Sequence, residues 1–527
     1  MSDFGEVRVS RSDIARLAGV KRPAVTNWER RHADFPAPVE GGDLDRFRAD
    51  QVLEWLSGRT IPSSALEPGE LTGTTYGDRF RAGLSGRRSG SLLSAVEQLA
   101  ARDAERLRGR LRMSEYLYVL LSLVFIQIRE PDRWSAHFVK DPETAMRRLV
   151  PGEESYGQVP LPEVVRILDS NPPGSPGESR QAFDRLLEFL RSTGAGAAEE
   201  FYTPRSVSRV MARALAAQGS AKRLHDPFVR TGELLSAYLD AVAEQGGGVP
   251  ESVTGRADSF EAMQLAEMNI DLHGAQRPRV LPGSKYPARS DDFGDLPGPF
   301  DAVITNPPFG SVGQSPYYKP RYWRYGESRS GEFDWLQYVV SRLAPEGRAA
   351  VLMPAGAASR GSAERRTRAS MIEDGVVECV MSLPARLFEL TAVQTHIWFL
   401  RAPRGRPEQV LFVDGSDLGS MATRTRRALA DEDVDRLVLA YTSWRESGHG
   451  VQPGLSRAVG FAEIAAQDHR LEPALYVREE LPSPGAVDAV AAARNRLAEL
   501  SEELERLHEQ AKTIDRLADV RLRRYGL

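Results

Sequence analysis

The chain has 527 residues, 41% hydrophobic and 27% charged, with a formal net charge of −4. That is enough for several domains in a composition ordinary for a soluble protein, and it excludes the global basic field that many DNA-binding proteins carry. The single cysteine, Cys379, excludes an internal disulfide and any cysteine-based zinc site. No apolar run is long enough to span a bilayer, and the polar start does not read as a signal peptide, so a cytoplasmic protein without a membrane segment is expected.

Residues 1–60 read as a winged helix-turn-helix. Ser12 to Ala18 is helical with Ser12 as the cap, Gly19-Val20 makes the turn, and Arg22 to Arg30 forms a second helix with Pro23 in its first turn. Val25 and Trp28 are spaced to face a core, while Lys21, Arg22, Asn27, Arg30 and Arg31 could face a DNA groove. A hairpin through Pro36 to Asp45 and a closing helix, Ala49 to Leu56, complete the unit. It resembles DNA-binding domains of the MerR and excisionase type. The alternative is a small adaptor for protein, since this stretch carries ten basic and ten acidic side chains.

Residues 61–89, rich in Gly, Ser, Thr and Arg, read as a linker. Residues 90–195 form a helical domain, with an apolar helix from Leu117 to Ile128 and an amphipathic one from Gln181 to Leu190. Asn171-Pro172-Pro173 between them has no strand before it and no aromatic after it, and reads as a turn.

Residues 196–480 alternate strand and helix, the pattern of an α/β, doubly wound, Rossmann-like core. Leu224-His225-Asp226 leads through Pro227 to Gly232 into a helix, the strand–loop–helix of a nucleotide-type cofactor site. Ala302 to Ile304 is a short apolar strand that stops at Asn306-Pro307-Pro308-Phe309. Two prolines remove two donors and fix φ, so the strand ends in a stiff loop. Such a loop suits methylation of an exocyclic amine. Asn306 and the Pro307 carbonyl could accept both amine hydrogens and free the nitrogen lone pair, and Phe309 could stack on a base taken out of the duplex. This chemistry requires no metal. Residues 481–527 read as one long helix. Val490, Ala493, Leu497, Leu500, Leu504, Leu507, Ala511 and Ile514 keep a heptad seam that wants a partner helix.

These segments together resemble the modification subunits of type I restriction-modification systems, the N-6 adenine DNA methyltransferases. The resemblance runs from about residue 90 to 480 and rests on Leu107–Ile128, Phe201-Tyr202-Thr203-Pro204-Arg205, Asp226-Pro227, Asn306 to Phe309, and Leu383-Pro384 with Phe388-Glu389-Leu390-Thr391. It implies S-adenosylmethionine as cofactor, double-stranded DNA as substrate, and a separate specificity subunit. By the resemblance, Tyr202, Thr203 and Pro204 lie against the methionine part of the cofactor. Asp226, Thr231 and Gly232 form its first loop, and Asn306, Pro307, Pro308 and Phe309 the target pocket.

Three departures stand out. Arg230 occupies a position that is usually glycine. Ala257 occupies the place of the ribose-binding acid, with Asp258 adjacent. Pro282-Gly283-Ser284 lacks the usual acid or amide, Asp291 and Asp292 being the nearest acids. Two readings follow: an active adenine methyltransferase of a restriction-modification or phage-defence system, or a catalytically weak, methylase-like DNA-binding regulator or scaffold. Methylation of protein or RNA by the same loop is a third. The terminal helix would dock a specificity subunit, fold back on residues 90–190, or pair in a homodimer.

Overall fold

The computed structural model describes residues 7–39, 46–62, 65, 75–84, 91–106, 113–149, 159–192, 202–217, 219–287, 298–310, 322–327, 330–388, 393–406, 408–448, 451–478, 503 and 506. The expected terminal helix and its heptad seam, Phe201, most of the Pro36–Asp45 hairpin, the Leu107–Arg112 lead-in, Asp291 and Asp292, and Glu389 to Thr391 lie outside them.

The amino-terminal unit begins with strand β1 (Arg8–Ser10), helices Arg11–Leu17 and Arg22–Arg31, strand β2 (Arg46–Arg48) and helix Ala49–Ser57. The first helix is capped by Ser10, not Ser12. Ser10 Oγ accepts the Asp13 amide, and the Asp13 carboxylate accepts the Ser10 amide. Ser10 has an acid three residues on and Ser12 does not, so only Ser10 can close this reciprocal box. The antiparallel partner of β2 is β1, upstream of both helices.

The expected linker also contains structure. Helix Tyr76–Leu84 belongs to the amino-terminal unit, with Phe80 fully buried in its core. Tyr76, Phe80 and Leu84 repeat every four residues, a stripe hidden in the sequence by glycines and arginines around it. The glycines have a packing role. A Cβ on Gly77 would meet the Ser57 backbone at 2.6 Å, and one on Gly83 would meet the Leu17 side chain at 2.5 Å. They let this helix close on its neighbours.

Helices Leu92–Arg106, Met113–Arg129, Pro142–Leu149, Leu161–Asp169 and Pro176–Ser192 form the helical domain. Asn171-Pro172-Pro173 is the turn between the last two. The domain's apolar core is continuous with Leu265 and Leu272 of helix Phe260–Leu272, so it packs on the sheet domain through that helix.

The sheet domain holds β3 (Arg223–Asp226), β4 (Ser252–Ala257), β5 (Arg279–Pro282), β6 (Phe300–Thr305), β7 (Leu343–Pro354), β8 (Val377–Ser382), β9 (Thr395–Arg401), β10 (Gln409–Asp414), β11 (Ser420–Met421), β12 (Arg427–Ala428) and β13 (Ser456–Gly460). Nine of these form one sheet in the order β13-β10-β8-β9-β7-β6-β3-β4-β5. All pairs are parallel except those of β9 and β13, which run antiparallel to their neighbours. Alternate residues feed opposite faces: Ala302 and Ile304 enter one apolar cluster, Val303 the other. Burial on both faces explains the continuous apolar strands and makes the domain a mixed, doubly wound α/β sheet.

The order β4-β3-β6 contains the switch point. From β3 the chain winds outward through β4 and β5, then returns to place β6 on the other side of β3. Asp226 and Asn306 therefore sit at the carboxyl ends of adjacent parallel strands, where open α/β sheets leave a crevice.

Candidate active site

The switch point brings together residues from three stretches of sequence. Asn306, Pro307 and Pro308 are buried at the end of β6, and Phe309 is half-buried against the apolar core. The Asn306 side-chain nitrogen donates to Thr203 Oγ1 at 3.1 Å. Thr203 is itself buried, and Pro204 beside it caps helix Arg205–Ala216. The other end of the loop is also tied. The Gly310 amide donates at 3.1 Å to Glu332 Oε1, and Glu332 is buried and paired with Arg360 at 3.0 Å. Burial opposes ionisation of Glu332, but the Arg360 guanidinium and the Gly310 amide hold its carboxyl below the usual range.

The loop after β3 faces this one. Asp226 is buried and accepts the Phe228 amide at 3.0 Å. Burial pushes its carboxyl up to about 7, against the Thr305 hydroxyl and the Phe228 amide, which favour the ionised form. Gly232 has φ of 77° and opens helix Glu233–Glu244. A Cβ there would sit 3.0 Å from Ile270 and 3.1 Å from the Ala266 carbonyl, so glycine is required by backbone conformation and by space. Asn269 Nδ2 donates to the Thr231 carbonyl at 2.7 Å and fixes the turn from behind. Phe228 packs edge-on against Trp335, which packs on Tyr338, giving the loop an aromatic wall.

Tyr202 is half-buried, and burial together with the nearby Glu233 carboxylate raises its hydroxyl to about 12, so it stays neutral. Asp258 is exposed just past the end of β4, while Ala257 is buried in the core. The strand register thus leaves Asp258 outside the strand, and its electrostatic neighbour is Arg230. Among the described residues, no group of three or more His, Cys, Asp or Glu could hold a metal ion, and no helix is long and apolar enough to cross a membrane.

Several site residues were not anticipated from sequence. Glu233 is the main one. Its carboxylate accepts the Thr203 amide at 3.4 Å, and the Thr231 amide and hydroxyl at 3.3 and 3.0 Å. An acid in a helix's first turn reads as ordinary dipole pairing, which hid it. Glu332 with Arg360, and Arg191 over the Tyr202 ring, were likewise unmarked.

The amino-terminal residues proposed to meet DNA lie apart in sequence from this site. Lys21, Arg22, Asn27, Arg30 and Arg31 are all exposed, with Val25 buried on the other side of the helix. Arg30 donates to Asn27 Oδ1 at 3.1 Å.

Comparison with known proteins bears on residues 180–483, which match the N-6 DNA Methylase family. The HindI type I restriction enzyme methylase subunit of Haemophilus influenzae is 28% identical over 309 residues, 55% of this chain and 66% of that protein. The MjaIX methylase subunit of Methanocaldococcus jannaschii is 26% identical over 332 residues, 60% of this chain and 57% of that protein. Each match spans less than two thirds of the relative's length. A structure from a study of complex assembly in the type I restriction-modification system superposes with a TM-score of 0.56 at 20% identity, covering 80% of this chain and 99% of that one. The type I methyltransferase subunit from Streptococcus thermophilus gives 0.53 at 20% identity, covering 73% and 79%. With a family match over more than half its residues, the chain belongs to the N-6 DNA methylase family.

Proposed function

We propose that the chain transfers a methyl group from S-adenosylmethionine to the exocyclic amine of an adenine flipped out of DNA, as the modification subunit of a restriction-modification or related phage-defence system. The observation that carries this is the Asn306 side chain, buried at the end of β6 at the switch point and tied to Thr203. An adenine amine is a weak nucleophile because its lone pair is delocalised into the ring. The Asn306 oxygen and the Pro307 carbonyl accept its two hydrogens, draw the nitrogen toward tetrahedral geometry and localise the lone pair. Phe309 offers a face to the base.

The residues present fit the cofactor. A buried acid ends β3, a glycine with positive φ permits close approach to the backbone, and a helix opens at that glycine. Tyr202, Thr203, Pro204, Asp226, Thr231 and Gly232 would hold it, with Asp258 outside the strand end. When bound, S-adenosylmethionine supplies a methyl group on a sulfonium. The competing reading, a DNA-binding scaffold without catalysis, draws on Arg230 and Ala257, which stand where the resemblance has a glycine and the ribose-binding acid.

In this reading the exposed basic face of helix Arg22–Arg31 contacts DNA phosphates. Residues 481–527 dock a specificity subunit, so truncation before Ala486 releases that partner and spares cofactor binding. The experiment that tests the function is calorimetric titration with S-adenosylmethionine, followed by sequencing of DNA from cells producing the chain for N-6 methyladenine. The expected result is micromolar binding and methylated sites that disappear with Asn306→Ala. Absence of both binding and methylation would overturn it.

A further inference from the structure

Three charged residues meet at the junction of the Tyr202-Thr203-Pro204 segment with the loop after β3, and the proposed reaction leaves them without a role. Arg191, from helix Pro176–Ser192, places its guanidinium 5.4 Å from the Tyr202 ring centroid. Arg230 places its own 5.0 Å from the Phe228 ring centroid. In both, Nε is closed to solvent and has no hydrogen-bond partner. Buried donors left unmade cost free energy, and a cation's cost more than a neutral group's. Such donors mark a place for an arriving acceptor. Nη2 of Arg191 reaches Thr231 Oγ1 at 3.5 Å, so this guanidinium borders the same turn that Glu233 caps.

Glu233 supplies the opposite charge. It accepts from the Thr203 amide, the Thr231 amide and the Thr231 hydroxyl. Those contacts use three of the roughly four acceptor positions of a carboxylate and leave one. The junction therefore offers a spare anionic acceptor beside two guanidiniums with unused donors. That is the complement of a zwitterion carrying its ammonium and its carboxylate on one carbon. Ala257, at the place of the ribose-binding acid, offers no side-chain acceptor, so recognition must be made up elsewhere in the ligand.

We propose that Arg191, Arg230 and Glu233 seat the amino-acid end of the cofactor, Glu233 accepting its ammonium and the two guanidiniums its carboxylate. The assignment rests on the proposed use of S-adenosylmethionine. It gives Arg230, which stands where glycine is usual, a binding role in place of an obstructing one.

The test is calorimetric titration of the full chain with S-adenosylmethionine and with methylthioadenosine, which keeps the nucleoside and sulfur but lacks the amino-acid end. Wild type, Arg230→Ala, Arg230→Gly and Glu233→Gln are compared. The expected result is that each substitution weakens S-adenosylmethionine by about tenfold or more and leaves methylthioadenosine within about twofold. Retained methylthioadenosine binding also shows that the variants are folded. Unchanged or tighter S-adenosylmethionine binding by Arg230→Gly would overturn the assignment while leaving the proposed function standing. Equal loss of both ligands would overturn it too, by showing that these side chains hold the loop and not the ligand. A wild-type chain that binds neither ligand would overturn the proposed function, and the assignment with it.

Discussion

The side chain of Asn306 is tied to the hydroxyl of Thr203 across 103 residues of sequence, at 3.1 Å. One lies in the loop after β6 and the other just ahead of helix Arg205–Ala216, so the two halves of the proposed site share a hydrogen bond. The bond sets which way the amide points.

Thr203→Val keeps the shape of the side chain and removes the acceptor. The expected result is a fall in kcat of roughly ten- to a hundredfold, with cofactor affinity changed less than about threefold, because a misaimed amide affects positioning more than binding. Asn306→Ala should remove methylation and spare cofactor binding. Steady-state kinetics on methylatable DNA, paired with calorimetry, separates the two.

Asp226 is held protonated more firmly than an exposed carboxyl, up to about 7, chiefly by burial. Its folded value lies above the unfolded one. The native state therefore binds the extra proton between about pH 4 and 7, and stability falls as pH rises through that window. Asp226→Asn removes the cost. Its Tm should exceed that of wild type by a few degrees at pH 8 and converge with it near pH 4, while S-adenosylmethionine binding is lost. Thermal melts across pH check the first half and calorimetry the second.

Gly232→Ala forces a side chain onto φ of 77° and against Ile270 and the Ala266 carbonyl. A destabilisation of about 1–3 kcal/mol is expected, together with weaker cofactor binding as the turn shifts. Denaturant unfolding measures the first effect.

His273 joins the helical domain to the sheet domain. Its Nδ1 lies 2.9 Å from Asp240 and its Nε2 3.5 Å from Asp184, with 5% of the side chain exposed. Burial opposes its charge, but the two carboxylates override this and raise it to about 9. The folded value lies above the unfolded one, so the stabilisation is complete below about pH 6.5 and is lost as pH rises through about 9. His273→Gln should therefore lower Tm at pH 6 and match wild type near pH 10. Melts of the two proteins from pH 6 to 10 check the convergence.

At the amino-terminal unit, Arg22→Ala, Arg30→Ala and Arg31→Ala remove exposed charges from one helix. If the helix lies along DNA phosphates, the triple variant should weaken binding and reduce the dependence of log affinity on log salt by about 0.9 per lost contact. Fluorescence anisotropy at several salt concentrations measures it. An unchanged slope would favour a protein partner for this unit.

Much of the sheet domain was legible in sequence because its strands are buried on both faces and so appear as short apolar runs. Ala302 to Ile304, ended by two prolines, is the clearest case. Asp226 and Asn306 were legible as strand ends. Their adjacency was not, since it depends on β6 returning to the far side of β3. The Glu233 contacts were hidden for a similar reason: they join Thr203 to the β3 loop through space, and nothing in local spacing records them. The helix Tyr76–Leu84 was masked because the residues that let it pack closely, Gly77 and Gly83, are those that usually mark a linker.

The antiparallel strand β9 lies between β7 and β8 although it follows both in the chain. During synthesis β7 leaves the ribosome with an open edge, and β8 emerges with no neighbour on that side. Only when the chain has been made through Arg401 can β9 slide between them, a lag of a few seconds at about 5–20 residues per second. Through that interval Val351, Leu352 and Met353 sit on an uncovered strand edge, able to pair with another nascent chain. Strand β9 thus joins by insertion, before β10 and β13 extend the sheet beyond β8, and a pause in translation between residues 354 and 401 would prolong the exposure of that edge to misassembly.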